Sequence, residues 1–129
     1  MEIVAIVAVL ALLQYIWFAI LVGQARGKFG VNGPAVTGHP VFERYFRVQM
    51  NTLELLIALL PGLWLFAHYV SATWAAILGA TYLVGRFVYL QSYVADPAKR
   101  GAGFGLSMFP ILGLLLGALV GAGLAFLRG

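Results

Sequence analysis

Residues 3–23, IVAIVAVLALLQYIWFAILVG, contain no charged side chain. At about 1.5 Å of rise per residue they make a helix about 31 Å long, a full bilayer crossing. A secretory signal would carry a basic leading region and a shorter apolar stretch, whereas Glu2 is the only early charge, so this segment is expected to remain as an uncleaved first helix. The rest of the chain obeys the same constraint. Of its 129 residues 63% are hydrophobic and only 9% are charged, against about 25% charged in a soluble domain. A soluble fold would lack the polar shell to cover such a core, and the expectation is an all-α, integral membrane four-helix bundle.

Three further spans complete it. The segment QARGKFGVNGPAVTGHP is rich in Gly and Pro and reads as a loop. Hydrophobicity resumes over about 41–70, with Pro61-Gly62 as a candidate kink. After the turn around Ser71, a third helix over 72–95 is closed by Asp96-Pro97, because proline removes a donor and disfavours helix in the residue before it. A fourth helix is expected over about 104–127, with Gly113, Gly117 and Gly121 permitting close packing. Residues 1–129 leave no polar region long enough for another domain.

The loops after the first and third helices hold Arg26, Lys28, Arg44, Lys99 and Arg100, while the turn between the second and third holds no basic residue. The positive-inside rule puts both basic loops on the cytoplasmic side and both termini opposite. The short loops fit a bacterial inner membrane as well as an endoplasmic one; the bacterial membrane, with both termini periplasmic, is the preferred reading. Nucleic-acid binding is not indicated, since the bases form no phosphate-tracking stripe. With no cysteine there is no thiol nucleophile and no cysteine-held metal; His39 and His68, near opposite ends of the second helix, are not expected to share one.

The informative residues are the polar ones at membrane depth, where a central charge costs about 2.5–3.5 kcal/mol or more. On the second helix Glu43, Arg47, Asn51 and Glu54 share a face; on the third, Arg86, Tyr89 and Tyr93 share another near the same cytoplasmic end. Two readings fit. In one, Arg47 with Glu54, and Arg86 with a carboxylate, are ion pairs that set helix register, while the tyrosines belong to an interfacial belt. In the other the faces form a pocket for a zwitterion: arginines take carboxylates, Glu54 takes an ammonium, and Asn51, Gln49 and tyrosine hydroxyls add hydrogen bonds. The excess of arginine over acid favours the pocket and a ligand with more than one carboxylate.

The stretch Phe42-Glu43-Arg44-Tyr45-Phe46-Arg47-Val48-Gln49-Met50-Asn51-Thr52-Leu53-Glu54 resembles the FERxxRxQxNxxE signature of the MAPEG family, the membrane-associated proteins in eicosanoid and glutathione metabolism. A second stretch, Tyr82 to Tyr93, is similar to YLxxRxxYxxxY in the family's glutathione-transferase and leukotriene-synthase branches. The resemblance implies a homotrimer with glutathione as co-substrate, bound between subunits near the cytoplasmic side. It carries glutathione contacts onto Arg47, Asn51, Glu54, Tyr89 and Tyr93, with Gln49 and Arg26 from the adjacent subunit, and the catalytic role onto Arg100. Gln49 lies about 200° around the helix from Arg47, which suits a different subunit.

The implied activity is a glutathione transferase, with peroxidase activity as a further capacity, acting on a lipophilic electrophile or lipid peroxide that arrives through membrane lipid. Two positions depart from the leukotriene-synthase pattern: Leu55 stands where a tyrosine follows the glutamate, and Gly27 replaces a second arginine of the first loop, which leaves the electrophile open. Arg86 is expected to be structural, paired with Glu54 or Asp96, and Glu43 and Arg44 to serve the start of the second helix. A non-enzymatic lipid-binding scaffold of the same family is the alternative, with no need of a thiolate stabiliser at Arg100. A small multidrug exporter is a poorer fit, because the first helix holds only Gln14 where such exporters need a glutamate.

Overall fold

The computed structural model describes residues 1–129. Four helices follow one another: α1 Glu2–Phe29, α2 Pro40–Tyr69, α3 Ala72–Ala95 and α4 Gly101–Arg128, with a short 3-10 turn, Pro97–Lys99, before α4. All four are long and apolar enough to cross a membrane. α2 and α3 form the central pair, and α1 and α4 each pack against both.

The core is a stack of small and branched residues: Val4, Val7 and Ala11 of α1, Leu55, Leu59 and Leu63 of α2, Ala75 and Ala76 of α3, and Ile111, Leu114 and Ala118 of α4. Only 31 of 129 residues are buried, and large apolar side chains such as Ile57, Trp64 and Phe109 point outward. In water that surface would be a defect; in lipid it is the face the bilayer solvates.

Two helix boundaries differ from the sequence expectation. Residues 24–29, read as loop, continue α1, so Arg26 and Lys28 stand on its last turn. The helix ends instead at Gly30, whose φ of 69° is left-handed, while Val31 N–H reaches back to Arg26 O at 3.1 Å. That is the Schellman closure glycine permits, and Gly27, with open space around it, does not interrupt the helix. α4 likewise starts at Gly101 rather than near 104. The glycines there are poor helix formers, but close packing on α3 overrides that weakness.

α2 is capped by His39, whose backbone is extended and whose Nδ1 accepts from Val41 N–H at 3.1 Å, with Pro40 at the first helical position. Its ring stacks on Phe29 at 4.0 Å. Glu43 takes Gly38 N–H at 3.1 Å, and Arg44 donates to Val94 O at 3.0 Å at the end of α3. Both therefore organise the N-terminal end of α2, as expected. The helix runs through Pro61, and Gly62 there admits Leu114 and Leu115 of α4. Gly117 and Gly121 receive Phe66 and Tyr69 of α2, so these glycines serve packing within the chain.

Candidate functional site

α2 contributes Arg47 and Asn51 one turn apart, α3 contributes Tyr89 and Tyr93 one turn apart, and the start of α4 contributes Arg100 and Phe104. These six line one cleft of about 470 Å³. The i, i+4 spacing on each helix makes this possible, since it stacks side chains on one face. Antiparallel packing then brings the three faces to the same end of the bundle.

Packing of α4 on α3 sets the cleft's far wall. At Gly85 an added Cβ would come within 2.6 Å of Leu106 C, and at Gly103 it would meet the backbone of Tyr89. The helices touch backbone to backbone at these two points, which only glycine allows. Tyr89 stacks on Tyr93 with centroids 5.4 Å apart, and Phe104 leans on Tyr89 at 6.3 Å.

Polar links run along the α2 wall. Arg47 Nη2 lies 3.3 Å from Glu54 Oε1, both half-exposed, and Asn51 Nδ2 donates to the same oxygen at 3.4 Å. One of the two expected ion pairs is therefore present. The other is not: Arg86 meets neither Glu54 nor Asp96. It is fully buried, with Nε donating to Ser107 Oγ at 2.8 Å and Nη1 to Asn51 Oδ1 at 2.8 Å and Thr52 Oγ1 at 3.2 Å. Asp96 is occupied in capping the 3-10 turn through Ala98 N–H. Neutral oxygens from two helices replace the carboxylate that charge pairing alone would supply.

Of the residues singled out in the sequence, Arg47, Asn51, Tyr89, Tyr93 and Arg100 thus converge, and Glu54 joins them through two hydrogen bonds. Arg26 and Gln49 do not line the cleft. Arg26 donates to Ala35 O and lies over the Phe42 ring, and Gln49 reaches Tyr15 O–H on α1 at 3.4 Å. Phe104, Thr52 and Ser107 were not anticipated. Ser107 left a signal, being the only polar side chain between Arg100 and Arg128.

A profile of the MAPEG family matches residues 4–120. The chain belongs to the MAPEG family. Human microsomal glutathione S-transferase 2 is 44% identical over 117 residues, covering 89% of this chain and 79% of the human protein. A Synechocystis protein is 49% identical over 116 residues, 90% of this chain and 85% of that one. Bovine leukotriene C4 synthase is 35% identical over 96 residues, 74% of this chain and 64% of that enzyme. With four apolar helices, this MAPEG protein is an integral, multi-pass membrane protein.

Proposed function

We propose that this MAPEG protein is a membrane-bound glutathione transferase that activates the glutathione thiol as thiolate and conjugates it to a lipophilic electrophile. The observation that carries this reading is the convergence of Arg47, Asn51, Tyr89, Tyr93 and Arg100 on one cleft. Glutathione presents two carboxylates, one ammonium and one thiol. Arg47 takes a carboxylate, Asn51 and the tyrosine hydroxyls add hydrogen bonds, and Glu54 takes the ammonium.

Arg100, at the start of α4 on the cleft's rim, is the residue we assign to the sulfur. Lowering a thiol pKa from about 8.5 to about 6 takes about 3.4 kcal/mol of selective anion stabilisation. A guanidinium about 3.5 Å from sulfur supplies about 4.7 kcal/mol at an effective dielectric of 20, before its own desolvation is subtracted. One arginine is of the right size. The thiolate then attacks an electrophilic carbon, forming the C–S bond as the leaving group departs with its electron pair, or attacks a peroxide oxygen, forming an S–O bond as the O–O bond breaks and the alkoxide leaves to take up a proton; a second glutathione thiol then displaces water from that sulfur to give the disulfide.

Residues 1–129 act as one such domain, and three copies assemble, so that Arg26 and Gln49 of one subunit reach the cleft of the next. Gln49 on the far side of α2 from Arg47 supports that geometry. The cleft faces the cytoplasm and both termini lie on the opposite side, as the basic loops favour; in a bacterial inner membrane that side is the periplasm.

The test is stopped-flow ultraviolet absorbance of detergent-purified protein mixed with glutathione, beside an Arg100→Ala variant. A thiolate signal at neutral pH that the variant loses supports thiol activation at Arg100. Glutathione bound by calorimetry with no thiolate signal in the wild type turns the reading to a non-enzymatic lipid-binding protein.

A further inference from the structure

Arg86 is the only charged side chain that the fold buries, and its neighbours are neutral. Ser107 and Thr52 give their own hydroxyl protons to Gly103 O at 2.7 Å and Val48 O at 2.8 Å, one turn back on their helices. Each therefore offers Arg86 only lone pairs. Nη2 has no partner, and no carboxylate pairs with the guanidinium.

A guanidinium carries five donors and no acceptor, so the atom of Asn51 that faces it must be oxygen. The carboxamide is thereby turned in a single sense. Its Oδ1 goes to Arg86, and its Nδ2 is directed to Glu54 Oε1 on the cleft side of α2. An unconstrained asparagine can present either edge to a ligand, whereas this one presents its donor. The same guanidinium carbon lies 4.4 Å from the centroid of the Tyr89 ring, a cation–π contact that a lysine ammonium can also make.

We infer that Arg86 is a positioning residue: it holds Asn51 as a dedicated hydrogen-bond donor to a carboxylate or carbonyl oxygen of the bound thiol peptide. This rests on the reading of the cleft as a glutathione site, and Arg86 acts through Asn51 without touching the ligand. Arg86→Lys keeps the charge but replaces the fork that spans Ser107 and Asn51 by a point donor. Ser107→Ala leaves the arginine in place and removes only the Nε anchor, so it stays informative if the lysine variant does not fold.

The experiment is NMR of the isotope-labelled full chain in detergent, with the Asn51 side-chain amide signal identified by its loss in Asn51→Ala, alongside calorimetry with glutathione. Both variants are expected to shift that signal and to weaken glutathione binding, about tenfold for Arg86→Lys. Neither should weaken it further in an Asn51→Ala background, since both act through the same amide. An unmoved amide signal, or binding losses that multiply with that of Asn51→Ala, overturns the inference. A wild-type protein that binds no glutathione overturns the reading of the cleft instead, and the amide signal then decides the role of Arg86 by itself.

Discussion

Gly103 of α4 lies directly against the backbone nitrogen and Cα of Tyr89 on α3. This contact holds the start of α4 against the tyrosine wall, and with it Arg100 and Phe104 above Tyr89 and Tyr93. A side chain at residue 103 can be admitted only if two backbones separate. Gly103→Leu is therefore expected to cost about 1–3 kcal/mol of stability through overpacking and to abolish glutathione binding by widening the cleft. Gly123→Ala, where an added Cβ meets nothing within 4 Å, is the control and should leave stability unchanged or raise it by up to about 1 kcal/mol, since alanine is the better helix former. Thermal unfolding in detergent and calorimetry with glutathione check both; a stable, glutathione-binding Gly103→Leu would show that the contact is dispensable.

The Arg47–Glu54 pair is half-exposed on both sides, at 51% and 57% side-chain accessibility, with a 3.3 Å separation. Such a pair contributes little to the fold, about 0–1 kcal/mol. A double-mutant cycle of Arg47→Gln and Glu54→Gln should give a coupling within that range in thermal unfolding. Glutathione affinity should fall at least tenfold in each single variant, because each loses a charge-assisted bond to ligand. A large stability coupling with unchanged affinity would make the pair a register device instead.

Tyr82 is fully buried on α3, and its hydroxyl has no hydrogen-bond partner. Leaving a buried hydroxyl unpaired costs about 1–3 kcal/mol. Tyr82→Phe is accordingly expected to leave the unfolding temperature unchanged or to raise it, with glutathione binding intact, since the ring lines no part of the cleft. A marked loss of stability would mean that the hydroxyl is paired in the membrane-embedded protein.

Much of the cleft was legible because helical periodicity is a local rule. Arg47, Asn51 and Glu54, and Tyr89 with Tyr93, fall on single faces from spacing alone, and hydropathy located α3 to its observed ends, Ala72 and Ala95. The miss at Arg86 has a physical cause. A buried arginine invites the expectation of a carboxylate, yet Asn51, Thr52 and Ser107 supply three neutral oxygens from α2 and α4. Which oxygens surround a side chain depends on how helices far apart in sequence are packed, and no spacing rule carries that.

The end of α1 and the start of α4 make the same distinction. Composition dictated a membrane fold, since too few polar residues exist to clothe any other, the hydropathy pattern along the chain divided it into four helices, and residue spacing set the polar faces of α2 and α3. The tertiary structure decided where α4 begins, through the backbone contact of Gly103 with Tyr89, and which residues share the cleft. Local hydrophobicity and periodicity act within one helix, whereas close approach and hydrogen-bond satisfaction of a buried charge are properties of several helices at once.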